Sequence, residues 1–200
     1  MSTRQQKSFI ACIRCDDAKM KFFNEMPVRR AGQENLLTTY HYYSETSKRM
    51  VQIQRASPAT RTRSDELIVF FDCYDDYYNI QIRSETYLGK YLSKDSNGIL
   101  GAFPAAGGDT TSFNLLNANQ DIITLDDLKN DVASVYLKAR NAGMVKRQLM
   151  QNPTLYCFGD QSGEPVKFTL SILERNVPNR PVSEPYPLYI EPRPQDDDDD

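Results

Sequence analysis

Short apolar runs alternate with turn residues along the chain, and the spacing within the runs is that of strands. Asn79-Ile-Gln-Ile-Arg83 sends every second side chain to one face, and Met50-Val-Gln-Ile53 does the same. Residues 9–14, 20–23 and 36–43 read as further strands, and Glu66-Leu-Ile-Val-Phe-Phe71 as a strongly apolar one. Strands at 90–93, 99–100 and 112–116 follow, broken by Asp95-Ser-Asn-Gly98 and by Pro104 with Gly107-Gly108. The pattern resumes at 135–140, turns at Asn141-Ala-Gly143, and continues through 146–150 and 155–158. A Gly-bounded turn at 159–163 leads to a last strand at 167–172. One segment changes period. Thr124-Leu-Asp-Asp127 has the form of a capping box, and Leu125, Leu128 and Val132 follow at helical spacing, which predicts a short inserted helix over 125–132.

Two stretches share one plan. Residues 78–116 and 135–172 each hold an alternating strand, a Gly turn, two more strands and a closing Phe-x-Leu (Phe113-Asn-Leu115 and Phe168-Thr-Leu170). Residues 9–53 read as a third, degenerate copy. Copies of four short strands that cannot bury their faces alone predict an all-β closed body with one shared core, Phe113 and Phe168 being equivalent plugs in it. With 200 residues, twelve Tyr and nine Phe there is material for such a core, and the aromatic content suits strands. The expected organisation is a disordered leader at 1–7, one domain over 8–175 and a flexible, proline-rich and acidic tail over 176–200.

The charge narrows the partners. The net charge is -3, and five of the 27 acidic residues are the run Asp196 to Asp200. Without them 24 basic residues face 22 acidic ones, so the body has no basic field of the kind nucleic acid requires. No apolar run reaches the length of a membrane span. The polar start lacks an apolar signal core, so the expectation is a cytoplasmic protein, exported, if at all, by an unconventional route.

Chemistry-bearing residues are sparse. Cys12, Cys15, Cys73 and Cys157 are not spaced as a disulfide framework, which fits a reducing compartment; Cys12 and Cys15 form a lone C-x-x-C, and no metal or cofactor is expected. His41, among Tyr40, Tyr42 and Tyr43, has no nucleophile in a recognisable motif beside it, and no phosphate-binding or dinucleotide fingerprint occurs, so the expectation is that the chain is not an enzyme. Asp72, Asp75 and Asp76 read as a solvated hairpin, and the Arg55, Arg61 and Arg63 loop as solvated as well. In the proline-rich tail, Arg175-Asn-Val-Pro178-Asn-Arg-Pro181 has the R-x-x-P-x-x-P form of a polyproline ligand, which makes Arg175, Pro178 and Pro181 the candidate partner-binding residues. Tyr186, Leu188, Tyr189 and Ile190 are placed either to drape on the body or to meet a partner.

The segment Ser84-Glu-Thr-Tyr-Leu-Gly-Lys-Tyr-Leu-Ser93, with its Gly-Lys turn, Tyr-Leu and later Phe-x-Leu, resembles the repeat signature of β-trefoil proteins: the fibroblast growth factors, the interleukin-one cytokines and the fascins. That resemblance implies about twelve strands in a β-trefoil and a non-catalytic module that engages a protein partner through surface loops, as cytokine-like trefoils do. It also implies alternatives: an actin- or glycan-binding module like the fascin and lectin trefoils, or a protease inhibitor. Ricin-type lectins carry Gln-x-Trp motifs and this chain has no Trp. The basic cluster that growth factors present to heparin is matched only by Lys138, Arg140, Lys146 and Arg147.

Overall fold

The computed structural model describes residues 6–16, 18–26, 32–39, 41–44, 49–52, 66–104, 111–150 and 155–187, with the side chains of 41–44 and 49–52 outside that description. The 56–64 loop, the Gly107-Gly108 turn and the acidic end therefore lie outside the described residues. In chain order the first strands are β1 (Phe9–Cys15), β2 (Ala18–Phe22), β3 (Leu37–Thr39), β4 (His41–Ser44) and β5 (Arg49–Gln52). Then come β6 (Leu67–Tyr74), β7 (Tyr77–Ile82), β8 (Tyr91–Lys94), β9 (Leu100–Phe103), β10 (Phe113–Leu116) and β11 (Ile122–Ile123). The last are β12 (Val132–Ala139), β13 (Lys146–Met150), β14 (Leu155–Gly159), β15 (Glu164–Pro165) and β16 (Lys167–Arg175).

Six of these strands close on themselves. β1 pairs with β6, β6 with β7, β7 with β10, β10 with β12, β12 with β16 and β16 with β1, every pair antiparallel. Closure leaves no edge on this ring. Alternation does the rest: on β7 and β12 the inward positions are Tyr78, Ile80 and Ile82, and Val135, Leu137 and Ala139, all buried. Phe9 and Phe71 stack inside at 4.4 Å between ring centroids, and Tyr78 meets both edge-on at 5.7 and 5.8 Å. Phe113 and Phe168 belong to the same core, each less than 2 % exposed. The interior is thus filled by side chains.

Three backbone bonds of one kind brace the wall. The amide of Asp16 donates to the Lys167 carbonyl (3.1 Å), that of Arg83 to Ile68 (2.8 Å) and that of Arg140 to Ser112 (2.8 Å). In each case the donor lies one residue beyond an inward side chain (Cys15, Ile82, Ala139), and the acceptor one residue before another (Phe168, Val69, Phe113). Three hairpins stand on the barrel: β2 with β3, β8 with β9, and β13 with β14. Their second strands β3, β9 and β14 contact one another. That approach needs glycine at two places. A Cβ on Gly101 would sit 2.6 Å from the Asn35 carbonyl oxygen, and one on Gly159 would sit 2.6 Å from that of Gly98. β4 and β5 form a further hairpin that joins the β13/β14 sheet through Leu155 and Tyr42.

The helix expected over 125–132 is not formed. Leu125–Asp127 is a single 3-10 turn, and Val132 already begins β12. A 3-10 turn brings residues three apart to the same side as an α-helix nearly does, so Leu125 and Leu128 fit either reading. Both are buried in the core, whereas Val132 is 64 % exposed. The Thr124 amide does donate to the Asp127 carboxylate at 2.8 Å, as a capping box requires. The Leu125 amide donates to the Tyr78 hydroxyl at 3.0 Å, which pins this turn to the core. The acidic turn is also tighter than read: it is Asp75-Asp76, between β6 and β7, with Asp75 at φ 66. Asp72 lies within β6 and is buried.

Candidate functional site

A strand on a barrel that faces water on its outer side alternates apolar and polar residues. β7 obeys this, with Tyr77, Asn79 and Gln81 half-buried outside. β1 and β6 do not. Every residue of β1 but Arg14, and every residue of β6 but Tyr74, is buried. Phe9, Ala11, Ile13 and Cys15 serve the interior, together with Leu67, Val69, Phe71 and Cys73. The alternate positions Ile10, Cys12, Ile68 and Phe70 form a separate apolar cluster on the outer wall. The two strands are register partners here, Ile10 opposite Phe70 and Cys12 opposite Ile68, so the four side chains make one continuous stripe.

That stripe is covered by the chain itself. Asn176, at φ 61, turns the backbone after β16. The Val177 amide then donates to the Ser8 carbonyl at 3.0 Å, and its side chain joins the stripe. The Asn179 side-chain amide donates to the Asp72 carboxylate at 2.7 Å. Tyr186 packs on the stripe, and its amide donates to the Arg83 carbonyl at 2.9 Å. Residues 176–187 therefore run along the wall as a strap, so the expected flexible tail does not begin at 176: this part is tied to the body by backbone bonds and apolar packing. Burial, then the Glu174 carboxylate beside it, whose charge repels the phenolate and which accepts a hydrogen bond from the hydroxyl, pushes the Tyr186 phenol up. The Arg83 guanidinium lies 4.9 Å from the Phe70 ring centroid, and burial lowers its pKa. Among the described residues its Nε has no hydrogen-bond partner. Burial, then the Glu66 charge, pushes the Cys12 thiol up to about 11.

The candidate residues of the tail fall in different surroundings. Arg175 ends β16 and directs its guanidinium to the Asp131 carboxylate (3.1 Å) and the Asn130 carbonyl (3.0 Å). Pro178 is half-buried and Pro181 exposed. The structure thus separates Arg175 from the two prolines by giving it partners before β12. Cys12 and Cys15 lie on opposite faces of β1, one on the outer stripe and one in the core, so they do not converge on one ion. All four cysteines are buried thiols. Of the four basic residues, three have separate partners. Arg140 lies 3.8 Å from the Tyr77 ring centroid, Arg147 4.6 Å from that of Tyr156, and Lys146 donates to the Gln161 carbonyl at 3.1 Å. The side chain of His41, the arginines Arg55, Arg61 and Arg63, and Leu188, Tyr189 and Ile190 lie outside the described residues.

The outer stripe, rather than the R-x-x-P-x-x-P form, is the feature that sequence reasoning passed over. Its signal is present: Phe-Ile-Ala-Cys-Ile and Leu-Ile-Val-Phe-Phe are apolar at both parities, the mark of a strand covered on two faces. Comparison with protein-family models, with curated proteins and with solved structures finds no match.

Proposed function

We propose that this chain is a β-trefoil acting as a non-catalytic protein-binding module. For the fold, the support is the six-stranded closed ring, the three hairpins that meet on it, and the three backbone bonds of one kind. In this reading the first copy does not end at 53 but takes β6 as its last strand, Val69, Phe113 and Phe168 are one position in three copies, and β4, β5, β11 and β15 are additions to a twelve-strand plan. For the function, the observation that carries the reading is the filled barrel. Phe9, Phe71, Tyr78, Phe113 and Phe168 occupy its interior, so a partner is met on the outside. The outside offers what protein interfaces use, tyrosine and arginine in contact at Tyr74, Tyr77 and Arg140, and beneath residues 176–187 it holds an apolar stripe on β1 and β6.

The test is affinity capture from a native extract by the full chain, by Tyr77→Ala/Arg140→Ala and by Val177→Asp/Tyr186→Ala. One protein held in fixed ratio, and lost or gained with one of these surfaces, supports the reading. A chain that captures no protein but binds a glycan array replaces it with the lectin-like alternative.

A further inference from the structure

The strap shows what its wall accepts. Three features of the seat are specific to an extended peptide. The Arg83 carbonyl takes a backbone amide from Tyr186. The stripe of Ile10, Cys12, Ile68 and Phe70 takes one aliphatic side chain at the Val177 end and one ring at the Tyr186 end. The carboxylates of Asp72 and Glu174 take a side-chain amide and a phenol. The occupant is also suited to leaving. It is held near its two ends, at Val177 with Asn179 and at Tyr186, while Arg180, Pro181, Ser183 and Glu184 between them are exposed. Release can therefore proceed one anchor at a time. Its prolines restrict the backbone before docking, so little order is lost on binding or regained on release.

We propose that the outer wall of β1 and β6 is a docking site for an extended proline-rich segment of a partner protein. That segment carries an aliphatic residue and a tyrosine spaced as Val177 and Tyr186 are, and residues 176–187 hold its place within the chain. The inference rests on the reading of the barrel exterior as the binding surface and names the site and the partner's chemistry. It also gives the strap a role: an intramolecular competitor that lowers apparent affinity by the fraction of time it occupies the wall. A tether of this length supplies a high local concentration, so an external segment competes well only when the strap is weakened.

The test titrates a synthetic peptide with the sequence of residues 176–187 into two full-length proteins, the native chain and Val177→Asp/Tyr186→Ala. Both substitutions lie on the strap and leave the residues of β1 and β6 unchanged; matching circular dichroism and a single cooperative urea transition check the fold. The expected result is binding to the double variant about tenfold or more tighter than to the native chain. The same peptide with alanine at its valine and tyrosine positions loses that binding. Failure of the native peptide to bind either protein, or equal binding to both, overturns the inference. A double variant that sediments as a dimer also overturns it, since the wall would then receive a second copy of this chain. The broader reading is separable, because a partner captured through Tyr77 and Arg140 survives each of these failures.

Discussion

Phe113 and Phe168 stand directly after carbonyls that do the same work. The Ser112 carbonyl receives the Arg140 amide at 2.8 Å and the Lys167 carbonyl receives the Asp16 amide at 3.1 Å, so each ring enters the core beside a bond that ties two wall strands together. Both rings are buried in one cluster. Phe113→Ala and Phe168→Ala should therefore cost similar amounts, about 3–5 kcal/mol each, read as urea unfolding free energies. A cost below about 1 kcal/mol at either position would show that the two rings are not equivalent plugs.

Tyr78 joins the barrel to the segment mistaken for a helix. Its hydroxyl accepts the Leu125 amide inside the core. Tyr78→Phe keeps the ring and leaves that amide without its acceptor, which should cost about 1–3 kcal/mol. The change should also raise amide exchange at Leu125. Unchanged stability and exchange would mean that the turn is held by Leu125 and Leu128 packing alone.

The strand content was legible because alternation is a local property. Asn79-Ile-Gln-Ile needs no distant information to declare its two faces, and neither does the apolar run Leu-Ile-Val-Phe-Phe of β6. What covers the second face of such a run is not local. The strap that seals Ile68 and Phe70 comes from more than a hundred residues downstream, as Asn179 reaching Asp72 shows. The same limit placed Asp72 in a solvated turn: its burial depends on that distant cover. Leu125 and Leu128 misled for a different reason, since one 3-10 turn satisfies the spacing that suggested a longer helix.

Two glycines test the meeting of the hairpins. Gly101→Ala and Gly159→Ala would each push a methyl group to 2.6 Å from a backbone carbonyl oxygen, and backbone gives way less easily than a side chain. Each should lose about 1–3 kcal/mol in chemical denaturation. Gly89→Ala meets nothing within 4 Å, and its cost, about 1 kcal/mol, should come only from holding φ at +76. Tolerance at Gly101 and Gly159 with loss at Gly89 would contradict the close approach.

Glu66 gives the pH response on the acid side. Burial alone would raise its pKa, but the fork of Arg14 (2.7 and 3.0 Å) and the Lys19 charge (3.3 Å) outweigh it, and the carboxyl is held below its usual range. A folded pKa below the unfolded one means stability that is present above about pH 4.5 and lost as pH falls through the folded value. Glu66→Gln should lower stability at neutral pH by about 1–3 kcal/mol and flatten this acid loss. An unaltered acid slope in Glu66→Gln would assign it to other carboxylates.

The thiols act on the alkaline side. Burial first, then the Asp16 charge, pushes Cys15 up to about 12, against Arg147. The folded pKa lies above the unfolded value of about 9, so this contribution is complete below pH 9 and fades as pH rises toward 12. Cys15→Ala should show a shallower fall of the urea midpoint between pH 8 and 10 than the native chain, and at neutral pH the native thiol should resist alkylation until the protein unfolds. Rapid alkylation of Cys15 in the folded protein would contradict its burial.

The seating of residues 176–187 on the β1 and β6 wall is tested most directly by residue-resolved amide hydrogen exchange in the full native chain. Val177 and Tyr186, whose amides donate to the Ser8 and Arg83 carbonyls, should exchange markedly more slowly than an unstructured peptide of the same sequence. Exchange of both at the free-peptide rate would mean that the apolar stripe has no cover, and the docking wall would go with it.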